Sequence, residues 1–266
     1  MTSAQASTAA SPPESGSRRV TLEDLTQHPG VWRGSELARP AAPGIPTGFA
    51  ILDEQLPGHG WPVGTLTELL PAHEGIGELR LLGKALARIA ASGRTLAWIA
   101  PPYLPYAPAF AASGIALERV IVVRTRDAQE TLWATEQSLR ANACGAVLAW
   151  LGDITDYAAL RRLQLAAEDS TCAAFLFRTP DTSGATSPAA LRLELEAASG
   201  GLSLRILKRR GKPLQQPIRI PLALDAEFNW KEEYERIDRE YHKAQQLRVQ
   251  GIEPDVDFRV GPRREN

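Results

Sequence analysis

Residues 70–79 read LPAHEGIGEL and join an apolar run of strand type, TLTELL, to a helical run, LRLLGKALARIA. At such a junction an α/β nucleotide-binding protein carries its phosphate loop, G-x-x-x-x-G-K-[ST]. The loop's N–H groups cradle phosphate, its lysine neutralises charge and its hydroxyl holds magnesium. The candidate loop here consists of Pro71, His73, Glu74, Gly75, Gly77 and Glu78. A glycine remains near its end. The lysine position falls on Glu78 or Gly77, and neither Ser nor Thr closes the loop. Glu74 and Glu78 place negative charge where polyphosphate would lie. Two readings stand: an ordinary strand-to-helix turn, or a phosphate loop that has lost its chemistry.

Binding chemistry is concentrated in two other places. Arg205, Lys208, Arg209, Arg210 and Lys212, with Arg219 beyond, form a basic run with no acid between Ala197 and Leu224. Such a run neutralises phosphates with little sequence selectivity, so weak, salt-sensitive DNA binding is expected. The alternative is a solvated basic hairpin. The preceding segment, RTPDTSGATSPAA, has no aromatic residue on which a base could stack. Trp230, Tyr234, Ile237 and Tyr241 recur at helical spacing, and Asn229 with Glu232 resembles a capping box. This stripe either docks on the chain's own core or anchors a partner, a role for which Trp and Tyr are suited. Cys144 and Cys172 lie in apolar runs and read as reduced core thiols. The histidines lack metal-ligand spacing, so neither metal nor cofactor is expected.

The elements that must position these residues follow from pattern. The chain has 266 residues, 44% hydrophobic and 23% charged, with a net charge of -1. That suits one large soluble domain, and global charge selects no partner. Residues 1–20 are rich in Ser, Ala and Pro, and are expected to be disordered. No signal peptide or membrane span is expected, so the protein reads as cytoplasmic.

From TGFAILDEQL onward, strands and helices alternate. A helix from Gly77 to Ala91 puts Leu79, Leu82, Leu86 and Ile89 on one face. Trp61, Trp98, Trp133 and Trp150 read as core. Continuous apolar strands such as GAVLAWLG require a parallel sheet covered on both faces. After Arg178, LRLELEA, GLSLRILKRR and QPIRIPL read as antiparallel strands at the edge. The fold class is therefore α/β: a mostly parallel sheet between helices, with antiparallel edge strands and a C-terminal helix. The boundaries are a tail at 1–20, a core with its lead-in at 21–224, and an amphipathic helix with a flexible tail at 225–266.

Thr47, Gly48, Leu52, Asp53, Gly58, Gly60, Gly64 and Glu68, in TGFAILDEQLPGHGWPVGTLTEL, resemble the approach to the nucleotide loop in the RecA superfamily. With HPGVWRG and APPYLPYAPAFAASGI, the pattern resembles the ImuA family over about residues 25–222. The resemblance places Pro102 near the position of a catalytic glutamate. It places Leu151 or Gly152 at that of a magnesium-linked aspartate, with Asp153 late. It thus implies a RecA-like scaffold without ATPase residues, active in DNA-damage-induced mutagenic translesion synthesis. The implied partners are an ImuB-like Y-family polymerase homologue and an error-prone replicative-type polymerase, with RecA and DNA as further contacts. Two alternatives remain. One is a SulA-like cell-division inhibitor that binds the tubulin-like division protein. The other is a DNA-dependent ATPase with an atypical loop, which would need Lys84 or an external cation.

Overall fold

The computed structural model describes residues 42–103, 105, 107–154, 156–211, 213–214 and 216–222, and beyond them Arg239, Lys243, Gln246 and Gln250. The tail at 1–20, the lead-in at 21–41, Tyr106 and Lys212 lie outside the described residues. So does most of the 225–266 segment, including Trp230, Tyr234, Ile237 and Tyr241.

The chain enters through a one-turn helix, α1 (Ala50–Asp53), followed by β1 (Thr65–Pro71) and α2 (Glu78–Ala91). Then come β2 (Thr95–Ile99), α3 (Ala107–Ala112) and β3 (Val120–Val123). Next are α4 (Ala128–Arg140), β4 (Cys144–Gly152), α5 (Tyr157–Glu168) and β5 (Ala173–Arg178). The last strands are β6 (Leu191–Ala198), β7 (Gly201–Lys208) and β8 (Ile218–Pro221).

All eight strands join one sheet in the order β3-β2-β4-β5-β1-β6-β7-β8. Pairings are parallel from β3 through β6, and β7 is antiparallel to both neighbours. This mixed order is compatible with a RecA-like or SulA-like fold. The sequence expectation of three antiparallel strands is corrected at β6. Its long connection from β5 carries it across β1, so it runs with the parallel body. The tight turn at Ser199–Gly200 then reverses β7, as a two-residue connection must. The loop after β7 reverses the chain again.

The central strands β1, β2, β4 and β5 are buried on both faces, which explains their nearly unbroken apolar sequences. One core joins Leu69, Trp98, Phe175 and Leu193 of the sheet to Leu82, Leu86 and Ile89 of α2. The other joins Leu66, Ile99, Val147 and Leu176 to Leu139 of α4 and to Leu160 and Leu163 of α5. Asp127 caps α4: its side chain accepts from the Glu130 N–H at 2.8 Å.

Two apolar side chains depart from expectation. Leu79 is 37% exposed, and the buried stripe of α2 runs through Leu81, Leu82, Ala85, Leu86 and Ile89. Leu79 belongs to the helix's first turn, beside the phosphate-loop segment rather than over the sheet. Trp133 is 62% exposed because α4 turns Thr131, Ala134, Thr135 and Leu139 inward. Trp61 and Trp98 are core, while Trp150 is partly buried. Among the described residues, no helix is long and apolar enough to cross a membrane.

Candidate functional site

The loop after β1 folds around its own carboxylate. Gly75 and Gly77 have φ of 79° and 115°, conformations that a Cβ would strain. Glu78 begins α2, is 7% exposed and turns back into the loop. Its Oε1 accepts from the Gly75 N–H at 2.9 Å, and its Oε2 accepts from the Gly77 N–H at 3.0 Å. These are backbone donors of the kind a phosphate would take at a helix N-terminus. A side-chain anion occupies them, where the helix dipole also favours it. Pro71 ends β1, while His73 and Glu74 are exposed. A Cβ on Gly77 would stand only 2.8 Å from Leu222 Cδ1, so the residue after β8 closes the loop from outside.

Among the described residues, no lysine reaches in to replace the missing cation. Lys84 Nζ lies 5.1 Å from the Phe49 ring centroid and 3.4 Å from the Gly48 carbonyl oxygen it donates to. The RecA-type TG-x-x-x-LD segment is thus a packing element here. Thr47 N–H donates to Asp53 Oδ1 at 2.9 Å, and a Cβ on Gly48 would strike the Lys84 side chain. Around the cleft, Pro102 is exposed, Leu151 is buried, and Asp153 is exposed in the turn after β4. The donor set therefore does not fit a magnesium–nucleotide.

Aromatic rings from β2, α3, β4 and β5 pack in a row beside the loop. Trp98 on β2 and Trp150 on β4 lie 5.4 Å apart, Trp150 stacks on Phe177 of β5 at 4.5 Å, and Phe110 meets Trp98 edge-on at 4.8 Å. Beside this row opens a cavity of about 320 Å³, lined by Glu74, Glu78, Leu86, Trp98, Phe110 and Trp150 among others. Tyr103, 72% exposed, stands at its rim.

The sequence reading missed a buried ionic cluster centred on Glu68. Glu68 on β1 is fully buried. Its Oε1 accepts from Arg178 Nη1 at 3.1 Å and from the Ser187 hydroxyl, and its Oε2 accepts from Arg192 Nε at 2.7 Å. Arg192 also donates to the carbonyls of Thr182, Ser183 and Ala185. Arg178 reaches the Ile154 carbonyl at 2.6 Å. Three strands and the 179–190 connection are tied together at one carboxylate. The signal was present in the sequence: isolated charges among the apolar residues of TLTELL, AAFLFR and LRLEL, the last with two.

The basic residues are not brought together as one free patch. Arg205 Nε donates to Glu194 across the β6–β7 pair at 2.7 Å. A register shift opposite Arg192 turns Lys208 toward the Glu68 side, where Nζ donates to the Ser187 carbonyl at 2.9 Å. Burial, then the nearby Arg192, holds the Lys208 ammonium below its usual range. Arg209 donates to the Gln55 carbonyl. Arg210 is exposed on the surface. Both cysteines are buried free thiols.

Comparison with solved structures finds similar chains, SulA among them. A solved structure of SulA from Pseudomonas aeruginosa is similar at 25% identity, covering 43% of this chain and 97% of that one, with a TM-score of 0.37. No family model matches the chain, and no curated protein matches it.

Proposed function

We propose that this chain is a non-hydrolysing RecA-like scaffold of the DNA-damage response, acting in mutagenic translesion synthesis. The observation that carries the loss of hydrolysis is the Glu78 carboxylate seated on the Gly75 and Gly77 N–H groups. The aromatic row at Trp98, Trp150 and Phe177 supports it from the other side of the cleft. The assignment to translesion synthesis rests on the ImuA-type segments of the sequence. It brings an ImuB-like polymerase homologue as principal partner, with RecA, an error-prone replicative-type polymerase and DNA as further contacts. A folded α/β body keeps surfaces for protein contacts after its nucleotide chemistry has gone.

The deciding experiment is an affinity pull-down of the tagged chain from DNA-damaged cells, with bound proteins identified by mass spectrometry. The expected result is recovery of a Y-family polymerase relative. Recovery of the tubulin-like division protein without any polymerase would replace the reading with division inhibition. ATP turnover that disappears on Lys84→Ala would replace it with an ATPase.

A further inference from the structure

We propose that the apolar cavity beside the former phosphate loop is the seat of the chain's own C-terminal segment, with Trp230 as its anchor. Three observations meet here. The cavity is preformed and about 320 Å³ in volume, with Trp98, Trp150, Phe110 and Leu86 in its wall, a size and lining suited to a large apolar group. The described core ends beside it. Leu222 packs against Gly77, and the loop neighbours Gly75 and Glu78 line the cavity.

The 44 residues after Leu222 carry an aromatic stripe that starts at Trp230. Eight residues of extended chain span up to about 26 Å, enough to reach from Leu222 into a cavity that adjoins it. An indole entering there would meet Trp98 and Trp150, a favourable arrangement for edge and offset ring contacts. Lys231 would follow at the rim, where Glu74 is exposed. Arg239, Lys243 and Gln246 are helical, exposed and polar. Tethering favours this occupant over a free peptide, because a short linker holds its local concentration near the millimolar range.

The inference is independent of which partner the scaffold binds, and its failure would leave the proposed function standing. The test uses the full chain with Arg80→Cys at the cavity rim and Lys231→Cys beside the anchor. The native thiols are buried and react slowly. Under mild oxidation the pair should form an intramolecular disulfide. Two further changes should slow it about tenfold, because docking holds the two thiols closer together than the tether alone does. The first is Trp230→Ala, which removes the anchor. The second is Gly83→Leu, which fills the cavity from α2, where a Cβ on Gly83 meets nothing within 4 Å. Tyr103→Cys replaces Arg80→Cys as rim residue if the first pair folds poorly. Equal rates in all variants would mean a free tether and would overturn the proposal. So would covalent dimers in place of the monomeric cross-link, which would assign the cavity to a second copy.

Discussion

Glu68 and Glu78 are carboxylates on either side of the same loop, and they are held in opposite ways. Glu68 is fully buried and answers to Arg178 and Arg192, which the chain brings from β5 and β6. Glu78 answers to Gly75 and Gly77, its immediate neighbours. A charge inside an apolar sheet is tolerated only when opposite charges and hydrogen bonds converge on it. Glu68 therefore constrains the tertiary arrangement, whereas Glu78 constrains a few backbone angles. One carboxylate positions strands; the other closes a cradle.

The strongest way to break this contrast is Glu68→Gln. The change keeps the shape but leaves two buried guanidinium groups without their counter-charge. Unfolding in urea should show a loss of about 3–5 kcal/mol. A loss below about 1 kcal/mol would put the cluster on a par with exposed ion pairs and end the distinction. Arg192→Met comes next, with an expected loss of about 3 kcal/mol, since Arg178 still serves Glu68. Its specific mark is faster limited proteolysis between residues 179 and 190, because Arg192 holds three carbonyls of that connection. Unchanged protection there would show that the connection is held by other contacts.

The same contrast decides what could be read from sequence. The parallel body was legible because a strand buried on both faces must be apolar throughout, as GAVLAWLG is. The loop was legible as a departure, because a missing lysine is a local fact. The seat of the Glu78 carboxylate was not, since the spacing in GIGEL does not say whether a side chain turns back or out. The Glu68 cluster escaped because its members are separated by over a hundred residues and only the fold makes them neighbours. β6 was misread for a related reason: its alternating pattern fits either direction, and direction is set by the connection across β1. Trp133 was misread because ring size says nothing about which side of a helix faces in.

Smaller in effect is Glu78→Ala. It frees the Gly75 and Gly77 N–H groups at a helix N-terminus and should cost about 1–2 kcal/mol, as losing a cap does. Glu78→Gln, which keeps one acceptor oxygen, should fall between. Calorimetric titration with magnesium–ATP should stay silent for both variants, because the loop still lacks its lysine and aromatic rings line the cavity beside it. Measurable ATP affinity in Glu78→Ala would mean that the carboxylate alone had blocked the site, which sharpens the contrast from closure to competition.

At neutral pH the smallest effect concerns Cys172, a buried titratable group held neither by an ion cluster nor by a loop. Its Sγ donates to the Ala173 carbonyl at 3.4 Å, and neither Arg94 nor a backbone hydrogen bond at Val147 offsets its burial. Burial foremost, with the neighbouring Cys144 adding to it, pushes its thiol up to about 12. The folded state therefore holds this proton where the unfolded chain releases it, near 8.5. A raised folded value contributes stability that is fully present below the unfolded value and is lost as pH rises toward the folded one. At neutral pH the thiol is protonated in both states and contributes no pH dependence. Between about 9 and 12 it should lower stability by up to roughly 1.4 kcal/mol per pH unit. Cys172→Ala should flatten that limb while leaving the shape of the neutral region unchanged. Denaturant midpoints taken across this range in both chains check it. Parallel alkaline limbs would mean that the thiol is solvated in the folded protein, and that burial at the start of β5 does not hold its proton.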